Sequence, residues 1–251
     1  MKKSSAKVQV RKPNESPTVF FGSGLSPANV VNALGREIVA GVFPESVTLP
    51  PEPEMLDRFG VSRTALREAY SKLTAKGLVQ ARPRVGTSVR PRAQWNMLDH
   101  DVLAWHLQTV PAEEIATDLY ALRRMVEPSA ARLAATTRTE ADLDAIYEAL
   151  AAMKTNAKVE ADLVEADFGF HVAILTATHN PFINAFSSLI RAAMLSVFEM
   201  SWRGAELIKD HRIKQHEMVA DAIRNQDPEA AQRLMEDLLG ESIKDARAAA
   251  K

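Results

Sequence analysis

Asp167 and His171 stand four residues apart, a spacing that puts both side chains on one face of an α-helix. A carboxylate oxygen and an imidazole nitrogen placed that way can serve as two ligands of one divalent metal ion. His216 lies on a later stretch whose apolar companions Met218, Val219, Ala222 and Ile223 recur at helical spacing, so it can face the same cavity. The spacing also fits an ordinary solvated surface pair, and both readings stay open at this level. An open position on such an ion could activate water, which makes a metal-dependent hydrolase the enzyme reading of the same residues. That reading lacks its other parts. No local general base is nominated, and the chain has neither a Gly-rich phosphate loop nor a Gly-x-Ser-x-Gly elbow. A non-enzyme is therefore expected.

A second chemistry sits near the amino terminus. Ser62 is a good N-cap for a helix whose first turns carry Arg63, Thr64 and Arg67, while Leu66, Ala69, Tyr70 and Leu73 recur on its other face. The amino-terminal end of such a helix can enter the major groove, where an arginine bonds guanine bidentately or grips a phosphate. Arg82 and Arg84 flank a hairpin tip in which Gly86 permits the close turn, placing two more cations for a neighbouring groove or backbone. The alternative is a solvated arginine-rich surface.

The elements that must position these residues follow from periodicity and breakers. From Pro27 the apolar residues Val30, Val31, Leu34, Ile38 and Val39 recur at helical spacing until Gly41 stops the pattern, which reads as a first helix; Glu54 to Phe59 reads as a short one, Gly60 to Ser62 as a tight turn and Arg63 to Lys76 as a second helix. Two short strands, 78–82 and 86–89, joined by Pro83 to Val85, complete a winged helix-turn-helix. Beyond a linker at 91–95 the strand signals vanish. Breaks at Pro111, Thr136 to Thr139, near Asn156, at Asn180-Pro181, around Gly204 and at Asn225 to Pro228 divide the remainder into six or seven helices. The expected fold is mainly α: a flexible basic arm over 1–25, a winged helix-turn-helix over 26–92, a linker and connecting helix over 93–110, and an all-helical bundle over 111–248.

Charge divides along the same line. Residues 1–92 hold 15 Lys+Arg against 7 Asp+Glu, leaving 16 of the 31 basic and 25 of the 32 acidic residues for the other 159. A basic front joined to an acidic back suits a phosphate-contacting module attached to a separate regulatory one. There is no cysteine, which excludes disulfides, thiolate catalysis and cysteine-type zinc sites. No long uncharged apolar run or signal-peptide core appears, so a cytoplasmic protein with no membrane partner is expected.

Residues 28–90 resemble the GntR family of bacterial regulators. The likeness is carried by Leu49-Pro50-Pro51-Glu52-Pro53-Glu54-Met55, by Gly60-Val61-Ser62-Arg63-Thr64-Ala65-Leu66-Arg67-Glu68-Ala69, and by Gly86-Thr87-Ser88-Val89 in the wing. It implies homodimeric binding to operator DNA, with contacts from Ser62, Arg63, Thr64, Arg67, Arg82, Arg84 and Gly86. Pro53 departs from the basic residue many relatives carry, which puts the operator sequence in doubt.

Residues 110–245 resemble the FCD effector domain of the FadR-type subfamily, on Asp167-x-x-Phe170-His171, Asn180, Gln215-His216, Ala222-Ile223, Asp227 and Ala230-Ala231. The resemblance implies a divalent metal, zinc being expected, held by Asp167, His171 and His216, with a further histidine expected near Leu238 and absent. It implies that Arg123 points into the pocket, where a guanidinium fork suits a carboxylate effector. Arg123 and Glu127 also have the spacing of a helix-surface ion pair. The segments Gln94 to Trp105 and Val197 to Gly204 resemble the galactonate-responsive group of this subfamily, which implies a sugar-acid effector with Trp202 beside it; Trp202 can equally be core. Trp95 and Trp105 are expected in interdomain packing, and His100, His106, His179 and His211 on the surface. The expected function is a DNA-binding repressor of sugar-acid catabolism genes released by its effector. A ligand-independent DNA-binding protein is the further alternative.

Overall fold

The computed structural model describes residues 26–155, 160–201 and 206–249. The arm 1–25, the breaks expected near Asn156 and around Gly204, and Trp202 lie outside the described residues.

The first helix, α1 (Pro27–Val39), starts at Ser26, whose side chain accepts from the Asn29 amide, and buries Val30, Val31, Leu34 and Ile38. The second, α2 (Glu52–Phe59), begins two residues before the expected Glu54. The reason is Pro53, which reads as a helix breaker but sits in the first turn, where no intrahelical N–H is required. Gly60 ends α2 in the left-handed region at φ 62°. Ser62 Oγ then accepts from Ala65 N at 3.2 Å to open α3 (Arg63–Ala75), which drives Leu66, Ala69 and Leu73 into the core.

The wing is the antiparallel pair β1 (Val79–Arg82) and β2 (Gly86–Val89), in register from Val79 opposite Val89 to Arg82 opposite Gly86. Residues 46–49 run along the far side of β2, with Leu49 N donating to Thr87 O and Val89 N to Val47 O. The hairpin is thereby anchored to the domain rather than left as an isolated ribbon.

A 3-10 turn at Arg92–Gln94 leads into α4 (His100–Thr109), capped by Asp99. Trp95 and Trp105 do not serve mainly as filling between the halves. Both join the amino-terminal core, and Trp105 lies flat against α1, where a Cβ at Gly35 would fall 2.4 Å from its ring. Only glycine allows that approach. Lys76, just past the end of α3, reaches Asp99 at 2.8 Å and Asp101 at 2.7 Å, tying recognition helix to connecting helix. His106, expected at the surface, is buried: its Nδ1 donates to Val102 O at 2.8 Å, and burial pushes its pKa below the usual histidine range.

The carboxy-terminal half is a bundle of α5 (Ala112–Thr137), α6 (Glu140–Thr155), α7 (Glu160–Thr176), the single turn α8 (Pro181–Asn184), α9 (Ser187–Ser201), α10 (Glu206–Arg224) and α11 (Pro228–Ala249). The long α5 runs through Pro128 because it is packed on several sides, by α7, α9, α10 and α11. Ala130, Ala131, Ala134 and Ala135 let those helices come close. Phe170 sits fully buried at the centre among Ile146, Leu150, Ile174, Val219, Ile223 and Met235. Asn180 caps α8, accepting from Phe182 N at 3.0 Å. No helix among the described residues is long and apolar enough to cross a membrane.

Candidate nucleic-acid interface and metal centre

On the amino-terminal half, the structure puts the sequence-predicted cations outside. The side chains of Arg63 and Arg67 are 75% and 73% exposed on the first turns of α3, with Glu52 3.5 and 3.7 Å away. Glu52 thus holds both guanidinium groups loosely in place, in competition with any phosphate. Thr64 is exposed beside them, while Ser62 serves the cap. At the wing tip Arg84 takes a left-handed conformation at φ 63° and Gly86 one at φ 103°, projecting the exposed residues 82–86 as a narrow turn. These cations are exposed and not consumed by the core.

The second site is buried. Asp167 and His171 share one face of α7, as the spacing predicts, and α10 brings His216 against them. His216 Nε2 lies 2.9 Å and His171 Nε2 3.4 Å from Asp167 Oδ1. One donor atom from each of the three residues falls within 4.8 Å of the others. A tetrahedral set at zinc distances needs donor separations of about 3.5 Å, and both imidazole approaches to Asp167 already lie at or inside that spacing.

The supports of the two imidazoles test whether this set fits a metal. His216 Nδ1 donates to Arg212 O at 2.7 Å, which leaves Nε2 for Asp167. His171 Nδ1 lies 2.5 Å from Glu127 Oε2, an ion-pair approach without hydrogen-bond alignment. In both rings the far nitrogen therefore faces a carbonyl or carboxylate and the near one is turned toward Asp167, the orientation in which metal-binding histidines are held. Carboxylate and imidazole donors suit a divalent ion of the zinc type. Phe170 packs against both imidazoles, its ring edge-on to His216 at 4.9 Å and to His171 at 5.7 Å.

Arg123 on α5 is in this cluster and not on the surface. It is 3% exposed, its Nε donates to Glu127 Oε1 at 2.5 Å, and its Nη2 lies 3.2 Å from His171 Nε2. Burial alone would raise the Glu127 pKa, but Arg123 and His171 bring it down to about 2. Burial likewise opposes the charge of Asp167, and the imidazoles of His216 and His171 override it, holding the carboxyl well below its usual range. Burial would lower the pKa of His171, yet Glu127 raises it. A group of buried charges costs more in desolvation than it returns in fold stability when apolar residues could replace it, so such a cluster points to a function.

Sequence reasoning missed Glu127, which it weighed only as the surface partner of Arg123. Its signal was the alanine face: positions 123, 127, 130, 131 and 134 lie on one side of α5, and the three alanines are fully buried. Leu238, where the resemblance expects a histidine, is 1% exposed in the core and supplies no ligand.

Residues 27–89 match the family of bacterial regulatory proteins called gntR, and residues 118–241 match the FCD domain. The chain is 37% identical over 204 residues to the galactonate operon transcriptional repressor of Escherichia coli K12, covering 81% of this chain and 89% of that protein. It is 36% identical over 211 residues to the uncharacterized HTH-type transcriptional regulator YieP of the same strain, covering 82% of this chain and 89% of that one. A solved Listeria monocytogenes structure, Lar, aligns with TM-score 0.56 at 20% identity over 91% of this chain and 99% of its own, a likeness of fold. These relatives are transcriptional regulators, not enzymes. The chain belongs to the GntR family: it is a DNA-binding transcriptional regulator of the FadR type, a winged helix-turn-helix followed by a helical FCD domain.

Proposed function

We propose that this regulator is a cytoplasmic repressor of sugar-acid catabolism genes, released from its operator by a carboxylate effector bound beside a divalent metal. The observation that carries this reading is the cluster in which buried Arg123 meets His171 while His171 and His216 both approach Asp167. Those last three residues would hold the ion, which supplies a Lewis-acidic anchor for an effector oxygen. Arg123 supplies the second anchor, since its fork can take both oxygens of a carboxylate. The 37% identity to a galactonate operon repressor favours a sugar acid over a simple dicarboxylate.

As a homodimer, the protein presents two α3 helices to half-sites about 34–36 Å apart. Ser62, Arg63, Thr64 and Arg67 read or grip one groove, and Arg82, Arg84 and Gly86 of the wing follow the adjacent backbone. Effector control then needs a mechanical link. That link is α4, which Lys76 ties to the end of α3 and which packs on α9 and α5 of the effector domain. A shift of α4 against α5 moves the recognition helix, provided the effector binds the two arrangements unequally.

D-Galactonate at 100 times its Kd, with Zn2+ present, is expected to add about 2.7 kcal/mol of stability, a rise of roughly 5–10 °C in Tm. Arg123→Lys keeps a cation beside Glu127 but loses the fork, so most of that rise, measured from the variant's own baseline, should disappear. No rise in the wild type with any aldonic acid, with or without zinc, would overturn the effector assignment.

A further inference from the structure

We infer that Glu127 is a positioning residue that sets the metal-binding face of His171 and holds the pivot of Arg123, so that ion and effector sites share one carboxylate. The inference deepens the function proposed above and rests on it. Glu127 is fully buried, so both of its oxygens must be served by protein groups. Oε1 takes Arg123 Nε, one turn earlier on α5, and Oε2 approaches His171 Nδ1 on α7, each at 2.5 Å.

The carboxylate stands on the Nδ1 side of the His171 ring, while Asp167 stands on the Nε2 side. Glu127 is therefore not a further member of the Asp167–His171–His216 donor set. At 2.5 Å a bare ring nitrogen and a bare carboxylate oxygen would repel, so the proton of a neutral His171 ring belongs on Nδ1. That leaves the lone pair on Nε2, the atom a metal needs.

The same lone pair has Arg123 Nη2 at 3.2 Å. His171 cannot give it to a guanidinium and to an ion at once. Arg123 is anchored at Nε by Glu127, so it can release Nη2 from His171 without leaving the site, and the released N–H groups are then free for a carboxylate. One glutamate thus makes His171 ready for an ion and keeps Arg123 ready for the effector.

Glu127→Gln keeps the shape and removes the second acceptor. Its amide oxygen can still take Arg123 Nε, but the NH2 group then faces Nδ1 as a donor and favours a proton on Nε2. Zn2+ affinity, measured by competition with a chromophoric chelator, should fall by about 10- to 100-fold. Long-range 1H–15N spectra of histidine-labelled, metal-free protein should show His171 protonated on Nδ1 in the wild type and on Nε2 in the variant. A purely structural role would lower Tm without moving that proton. Undiminished zinc affinity in the variant, or a wild-type His171 protonated on Nε2, would overturn the inference. Failure of the wild type to bind zinc would instead defeat the metal reading itself. The wild-type spectrum needs neither metal nor a folded variant, so it decides the role of Glu127 in either event.

Discussion

Replacing His216 with phenylalanine should abolish tight Zn2+ binding while leaving the fold in place. His216 is 3% exposed and packs edge-on against Phe170 at 4.9 Å, contacts an aromatic ring of similar volume can keep. Alanine would confound the test, since removing a large buried side chain costs about 2–5 kcal/mol through the cavity alone. Loss of an outer partner typically weakens a metal site about 10- to 100-fold, and removing one of only three ligands must exceed that. Chelator competition reads the affinity, and thermal denaturation with and without zinc reads its consequence. The wild type should gain stability from zinc and the variant should not. Zinc affinity retained by His216→Phe would mean that the ion, if one binds, sits elsewhere.

The second large effect is expected on DNA. Arg67→Ala should weaken operator binding by about 1–3 kcal/mol for each half-site if Arg67 reads a guanine. The side chain is 73% exposed and has only a 3.7 Å approach to Glu52, so stability should stay within about 0.5 kcal/mol of the wild type. Zinc and galactonate binding should not change, because Arg67 lies on the surface of the other domain. Fluorescence anisotropy across a salt series separates two roles. A base contact relaxes specificity at one position, whereas a phosphate contact lowers affinity for all sequences and reduces the salt slope by about 1. Unaltered operator affinity would remove α3 as the reading helix.

Much of the DNA-binding half is legible in the sequence because its signals are local. Ser62 caps, Gly60 turns left-handed, the leucines of α3 repeat at helical spacing and Gly86 tightens the wing, each within a few residues of the element it shapes. Where local reading failed, position within an element decided. Pro53 looks like extended chain but is at home in a helical first turn.

The effector site is only half legible. The Asp167–His171 pair follows from i,i+4 spacing, whereas its meeting with His216 depends on how α7 and α10 pack. Arg123 and Glu127 have the spacing of a thousand surface pairs, and what distinguishes them is tertiary: the helices that cover α5 and take both charges out of water. His106 was misread for the same reason. A carbonyl four residues earlier and the Trp95 ring give a polar side chain a buried place that composition does not announce.

The most direct test of effector control is operator release. An operator fragment selected by the protein from a random DNA pool would be titrated with zinc-loaded protein, with and without saturating D-galactonate. Effector control predicts that operator affinity falls with galactonate in the wild type and stays constant in Arg123→Lys. Identical operator affinity in the presence and absence of every aldonic acid that binds would contradict it, leaving a DNA-binding protein whose helical domain answers to some other signal.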